Sequence, residues 1–165
     1  MPLDPVVVKN LEIYLNDHLA GAVAALELIK HRQDDYKDEP LGTFFGTLKA
    51  DIEADEQTLR EVMQSLGIEE SSVRQSGAWA AEKVALARFK IAGDAAGLIL
   101  ALEGLIMGIF GKRMLWRSLA VANVLDASNW DFEQLERRAE DQMERAETQR
   151  IQAAQRAFTG TAGQE

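Results

Sequence analysis

The fold is decided by residues 95–111, which read AAGLILALEGLIMGIFG and carry one charged residue, Glu103. This stretch is at the lower limit of the length that crosses a membrane, but a carboxylate at its middle would be costly in lipid. The flanking segments are amphipathic, which is typical of helices in globular proteins. We therefore predict a helix over about residues 94–122 that lies at the centre of a helical bundle or is covered by a second copy of the chain.

Three further long helices are predicted on either side of this segment, because apolar residues recur there at spacings of three and four. They cover about residues 6–33, 41–66 and 130–158. Pro40 stands at the start of the second helix and Gly67 at its end, where these residue types are favoured. The chain is therefore expected to be all-α.

The connection between the second and third long helices, 67–93, sets the expected topology. A short fifth helix is predicted in it, over about residues 72–91. Short loops join the first helix to the second and the third to the fourth, so each of these pairs should be antiparallel. Two antiparallel hairpins joined by one long crossover form the ferritin-like type of four-helix bundle. An up-down-up-down bundle with an added helix is the alternative.

The composition is that of one globular domain, with 47% hydrophobic and 27% charged residues in a chain of 165. We assign residues 1–158 to this domain and expect residues 159–165 to be a disordered tail. The chain has no cysteine, which excludes disulfides, thiolate metal sites and thiol nucleophiles. The N-terminus shows no secretion signal, so a cytoplasmic location is expected.

Charge is distributed unevenly around a net value of −9. Residues 34–70 hold eleven acidic and three basic residues, whereas residues 71–125 hold three acidic and seven basic ones. Two elements of opposite charge could face each other, or both could be solvated helix faces. Nucleic acid is not expected as a partner. Binding to its phosphates requires clustered lysine and arginine, whereas this chain is acidic overall.

Glu103 is the first candidate for a functional residue. It shares a helical face with four apolar residues, namely Ile99, Ile106, Phe110 and Met114. We therefore expect its carboxylate to be buried, and a buried carboxylate needs a metal, a proton or a cationic partner. It could be a metal ligand or a proton-carrying acid, or it could belong to a structural ion pair. The candidate partners in such a pair are Lys112, Arg113, Arg117 and His18.

An acidic cluster on the second helix is the other candidate. Asp55 lies on the apolar stripe of that helix, and Glu53 and Glu56 flank it at a spacing of three. Oxygen ligands so placed suit magnesium, manganese or iron, whereas a charged solvent face is the alternative. His18 lies on the apolar stripe of the first helix, either as a further metal ligand or as a hydrogen-bonded core residue.

Several segments resemble the bacterioferritin and rubrerythrin group of the ferritin-like superfamily. The similar segments are YLNDHLAGAV at 14–23, DIEADEQTLREVM at 51–63 and LEGL at 102–105. AWAAEK at 78–83, together with LEGL, Gly111-Lys112 and Leu115-Trp116, is more similar to a family of short bacterial ferritin-like proteins with no assigned activity. The resemblance implies the ferritin-like fold and, for the larger group, a site for two metal ions held by carboxylates and histidines.

The chain departs from that group at the metal-binding positions. The group pattern is Glu-x-x-His on two helices and a glutamate on each of the others. Here the second helix offers Glu53-x-x-Glu56 and the fourth Glu133-x-x-Glu136, with no histidine after His31. The predicted core stripe of the fourth helix contains no ligand: Leu135, Ala139, Met143 and Ala146. We expect a non-catalytic scaffold or interaction protein with a degenerate di-metal site and no cofactor. A divergent carboxylate-bound iron or manganese protein, or an oxidase, is the alternative.

A homodimer is expected because the third long helix is apolar around most of its circumference between Ala95 and Gly111. Gly104, Gly108 and Gly111 form a smooth second face on it. Each glycine costs a helix about 1 kcal/mol relative to alanine, so we infer that another backbone approaches this face. The approaching backbone is either the crossover helix or a second copy of the chain. A membrane is not expected as a partner, and an unidentified protein partner is left open.

Overall fold

The computed structural model describes residues 3–71, 94–122 and 129–159, and within these ranges the protein consists of four α-helices. They are α1 (Pro5–Asp35), α2 (Pro40–Ser65), α3 (Asp94–Ala122) and α4 (Phe132–Thr159). The predicted all-α, four-helix fold is confirmed. The short helix predicted over 72–91 lies outside the described residues, as do residues 160–165 of the predicted tail, whereas Thr159 is still part of α4.

The ends of the first two helices have local causes in the sequence. Asp4 caps α1 by accepting a hydrogen bond from the Val6 N–H at 2.8 Å, with Pro5 as the first helical residue. α2 also begins at a proline, Pro40, but its N-cap residue Glu39 makes no side-chain capping hydrogen bond. Gly67 after its end has a φ of 68°, which an L-residue adopts only with strain.

The tight turn between α1 and α2 depends on Gly42. A Cβ at this position would overlap the carbonyl oxygen of Tyr36 and lie 2.8 Å from the carbonyl carbon. The turn therefore folds directly onto the first turn of α2, and this close approach requires a residue without a side chain. Because the connection is so short, α1 and α2 form an antiparallel hairpin.

Each helix packs against two neighbours: α1 against α2 and α3, and α4 against α3 and α2. Contacts between side chains give the directions of the neighbouring helices. Asp51 pairs with Arg145 and Asp55 with Arg138, so α2 and α4 are antiparallel. α3 and α4 are antiparallel too, because Glu103 near the start of α3 pairs with Arg150 near the end of α4, whereas the later residue Trp116 stacks on Phe132.

Two apolar clusters fill the interior, one toward each end of the bundle. The first cluster comprises Leu15, Leu19, Leu59, Val62, Met63, Ile68, Leu115, Trp116, Leu119, Phe132 and Leu135. The second cluster comprises Ile29, Phe45, Leu48, Ile52, Leu98, Ile99, Leu102, Leu105, Ile109, Ala139 and Ala153. α2 ends at the first cluster and α3 begins at the second, so the chain between them connects opposite ends of the bundle.

A matched pair of glycine substitutions tests this account of the α1–α2 turn. Gly42→Ala is expected to lower the free energy of unfolding by about 1–3 kcal/mol, because the added methyl group must displace backbone atoms. Gly21→Ala places the same methyl group in α1 where nothing lies within 4 Å, and is expected to raise stability by up to about 1 kcal/mol. Urea denaturation of both variants measures the difference. Equal effects would contradict the close approach at Gly42.

Candidate functional site

Buried polar side chains mark the centre of the bundle. Among the residues that the structure describes, three polar side chains are buried: Asn16, Asp55 and Gln142. Asp55 on α2 and Gln142 on α4 are each only 1% exposed, and they lie in contact with each other. Their position between the two apolar clusters means that every hydrogen bond they make replaces one to water.

Lys112 on α3 completes a three-helix network with these two residues. Its Nζ lies 2.6 Å from Oδ2 of Asp55 and also donates a hydrogen bond to Oε1 of Gln142. The Gln142 amide in turn donates to Oδ2 of Asp55 at 2.9 Å. Each group therefore finds its complement: the ammonium donates twice, the carboxylate accepts twice, and the amide does both. We call Asp55, Lys112 and Gln142 the polar layer.

Arg138 of α4 supplies a second positive charge at the edge of the polar layer. Its Nη2 lies 3.0 Å from Oδ1 of Asp55, although the donor is not aligned for a hydrogen bond with that oxygen. We count the contact as an ion pair rather than a hydrogen bond, because attraction between charges depends weakly on angle. About two turns further along α4, Arg145 pairs with Asp51 and Asp141. Charge pairing between α2 and α4 thus continues from the core to the surface.

Burial acts strongly on the Lys112 ammonium. Desolvation lowers the pKa of Lys112, and the neighbouring Asp55 carboxylate acts in the opposite direction by favouring the charged form. Both partners accept hydrogen bonds from Nζ, and the Asp55 carboxylate among them favours the charged ammonium. Asp55 is therefore the group that allows Lys112 to remain charged inside the protein.

A cavity of about 200 Å³ lies beside the polar layer, between α1, α2 and α3. Small residues of α1 and α3 create the space, namely Gly21, Ala22, Ala25, Gly108 and Gly111. Its polar lining consists of Asp17, His18, Asp55, Glu56 and Lys112. The cavity is thus the place where the sequence candidates His18, Asp55 and Glu56 come together.

His18 faces this cavity as a neutral imidazole. Burial lowers the pKa of His18, and the nearby Asp17 carboxylate only partly offsets that effect. The ring packs edge-on against Tyr14 with the centroids 4.7 Å apart. His18 therefore fills space next to an aromatic ring, and at neutral pH it brings no positive charge to the cavity.

The prediction that Glu103 is buried is wrong. Its side chain is 46% exposed and pairs with Arg150 at 3.6 Å, because α3 turns its opposite face toward α1 and α4. The predicted partners bind other acids: Lys112 binds Asp55, while Arg113 and Arg117 reach Glu136. A buried ion pair does exist on α3, but its carboxylate comes from α2.

The acidic cluster of α2 separates into three environments. Asp55 is buried in the polar layer, whereas Glu53 is half exposed and pairs with Lys49 at 2.6 Å on the outer side of the helix. Glu56 lies at the cavity but is bound by Arg60, also at 2.6 Å. The predicted cation site made from all three residues is therefore not assembled.

A di-metal centre does not fit these residues. Within the described part of the chain, no three histidine, aspartate or glutamate side chains converge on one point. The buried carboxylate of Asp55 already accepts hydrogen bonds from an ammonium and an amide, and a metal ion would have to displace Lys112 to reach it. Positive charge at the centre comes from a side chain of the protein.

Sequence reasoning missed two buried polar residues, Gln142 and Asn16. The predicted stripe of α4 included Met143, which is only partly buried, while its neighbour Gln142 is 1% exposed. A stripe with alternating spacings of three and four through Phe132, Leu135 and Ala139 would have reached Gln142. Asn16 holds the chain after α2: it donates to the Glu69 carbonyl and accepts from the Ser71 N–H at 2.7 Å.

Comparison of the chain with protein-family models, with curated proteins and with solved structures finds no match. The polar layer and its cavity therefore have to be interpreted from their own chemistry.

Removal of one partner should reveal the interdependence of the polar layer. Lys112→Met keeps the aliphatic stem and removes the charge, so Asp55 is left buried without its main partner. We expect a loss of about 3–5 kcal/mol in the free energy of unfolding. The double variant Lys112→Met/Asp55→Asn leaves no buried unpaired charge, because Arg138 is partly exposed to water, and it should recover at least half of that loss. Additive effects in urea denaturation would contradict the network.

Stability near His18 should depend on pH in a definite direction. Because its folded-state pKa is below the ordinary value of about 6.5, the unfolded chain binds more protons in the interval beneath that value. The free energy of unfolding therefore decreases as the pH falls below about 6.5. A His18→Gln variant lacks this contribution, so its disadvantage relative to the unmodified protein should shrink from pH 7 to pH 5. A constant difference between the two denaturation profiles would contradict the burial of His18.

Proposed function

We propose that this protein is a non-enzymatic helical bundle of the ferritin-like type, which acts as a scaffold or interaction protein. In this proposal an internal ion pair takes the place of a metal centre. The observation that carries it is the Lys112 ammonium, which lies between Asp55 and Gln142 at the centre of the bundle. A bundle of this kind keeps the architecture of a metal protein without its chemistry.

The direction of the helices supports the ferritin-like part of the proposal. α1 pairs with α2 and α3 with α4 as antiparallel hairpins, and α2 ends at the opposite end of the bundle from where α3 begins. Such hairpins need one crossover that runs the length of the bundle, which is the connectivity of ferritin-like folds. An up-down-up-down bundle would place the end of α2 next to the start of α3.

Charge at the centre supports the non-enzymatic part. In di-metal bundles, inward-facing carboxylates and histidines from four helices bind the cations. Here the corresponding inward residues are the neutral His18 of α1, Asp55 of α2, Lys112 of α3 and Gln142 of α4. One carboxylate and one ammonium balance each other, so this layer has no excess negative charge with which to attract a divalent cation.

The alternative is a divergent protein that binds iron or manganese through carboxylates. The observation in its favour is that His18, Asp55 and Glu56 line one cavity. Two of these ligands are already bound by cations, Asp55 by Lys112 and Glu56 by Arg60. Metal binding would therefore require two ion pairs to be broken, and at the buried pair it would leave the Lys112 ammonium without its carboxylate.

Elemental analysis distinguishes the two functions. We expect protein purified without chelator from iron- and manganese-supplemented medium to hold well below one equivalent of either metal, because Lys112 competes for the buried carboxylate. Stoichiometric metal in the purified protein would contradict the proposal.

The location of any bound metal can be tested with two carboxylate variants. Asp55→Asn alters the polar layer, whereas Glu103→Gln alters an exposed carboxylate on the outer side of α3. Metal that is lost from the first variant and retained in the second would identify Asp55 as a ligand and establish the alternative function.

A further inference from the structure

The outward face of α3 is apolar and has no neighbour among the described helices. Its exposed large side chains are Leu100, Met107, Phe110, Met114 and Val121. Met107 and Val121 are 74% and 79% exposed, which is unusual for two apolar residues on one helix of a protein in water. Three glycines of α3 were expected to meet another backbone. A Cβ at Gly104 or Gly108 would have nothing within 4 Å, and one at Gly111 would meet the His18 side chain of α1 at 3.9 Å.

The exposed residues follow a regular pattern. Gly111 and Ser118 lie toward α1, because Gly111 adjoins His18 and Ser118 accepts a hydrogen bond from Tyr14. The outward stripe of α3 consists of Leu100, Met107, Met114 and Val121, at a constant spacing of seven. This spacing forms the contact seam of two helices that pack along each other.

The stripe also has nearly the same size pattern in both directions. Its four residues are all large and evenly spaced, with a midpoint between Phe110 and Gly111. A two-fold axis at this midpoint would place Met107 opposite Met114 of a second copy, and Leu100 opposite Val121. Self-complementarity of this kind is what an isologous dimer interface requires.

Charged residues beside the stripe obey the same symmetry. Glu103 and Arg117 lie on the flank of α3 that faces α4, where they contact Arg150 and Glu136. In an antiparallel pair of helices related by a two-fold axis, the same flank of each helix meets its copy. Glu103 then lies opposite Arg117 of the other copy, within one residue or about 1.5 Å of the same level along the helix axis. Both ion pairs form at once.

We propose that two copies of this chain associate through α3 in an antiparallel, two-fold symmetric dimer, with Met107 opposite Met114 and Glu103 opposite Arg117. This surface is separate from the internal polar layer. The proposal of a dimer and the proposal of a metal-free centre can therefore be contradicted independently of each other. Gly104 is exposed and has nothing within 4 Å, so it leaves room for the second helix beside the stripe.

The crossover segment, residues 72–93, is one competing occupant of this face, and it would leave the chain monomeric. A lipid bilayer is the other. Residues Ala95–Ala122 are long and apolar enough to cross a membrane by length and composition. However, the inward face of α3 is buried against α1 and α4 through residues such as Leu102, Leu105 and Trp116. Insertion of α3 into lipid would require these contacts to be given up and both Glu103 and Arg117 to be desolvated.

Light scattering after size exclusion tests the dimer at tens of micromolar chain. The expected mass is twice the 18.3 kDa of one chain. Met107→Glu should raise the dimer dissociation constant by at least about 30-fold, because the symmetry buries two carboxylates at the centre of the seam. The matched control is Phe158→Glu on α4, which changes an apolar residue of similar exposure and should leave the mass unchanged.

Charge reversal tests the antiparallel register. Glu103→Arg alone and Arg117→Glu alone should each weaken the dimer by about tenfold, because each creates two like-charge contacts. The double reversal restores opposite charges and should restore association. A mass near 18.3 kDa for the unmodified chain, with or without flotation on phosphatidylcholine vesicles, would overturn the proposal. A dimer whose dissociation constant is unchanged by Met107→Glu, or by the charge reversals, would overturn the proposal as well.

Discussion

The structure depends on one constraint, which is that the buried Asp55 carboxylate must be matched by a cation inside the bundle. Lys112 provides that cation from α3, and Gln142 of α4 bonds to both. Alone, any of the three would be a costly polar group in an apolar interior. Together they satisfy one another, so α2, α3 and α4 can pack only in a register that brings these residues to one level.

This constraint explains why the core is divided into two apolar clusters. A shift between helices costs leucine and isoleucine contacts only a modest amount of stability. A shift of one helical turn at Lys112 would leave the Asp55 carboxylate unpaired. The cluster of Leu15, Trp116 and Phe132 lies on one side of the polar layer, and that of Ile29, Leu48 and Leu105 on the other. We interpret the polar layer as the device that sets helix register, while the clusters supply most of the stability.

Helices could be predicted from the sequence more reliably than the side chains that meet between them. The four long helices were located from repeating apolar spacings, Pro40 and Gly67. Asp55 was placed on the apolar stripe of α2, and the structure shows that it is buried there. Burial of Glu103 was predicted wrongly, because α3 is apolar on both faces and its composition does not show which one points inward. Gln142 was missed because a stripe shifted by one residue contains Met143. The pairing of Lys112 with Asp55 joins residues 57 positions apart, so it depends on tertiary packing.

The most direct test of this account is nuclear magnetic resonance of the Lys112 side chain near neutral pH. The account predicts an ammonium signal that exchanges slowly with water, because Nζ is held by Asp55 and Gln142, and that is lost or strongly shifted in Asp55→Asn. The exposed Lys30 provides the reference for fast exchange. If the Lys112 ammonium exchanged as rapidly as that of Lys30, and did not respond to Asp55→Asn, the centre of the bundle would not be the ion pair described.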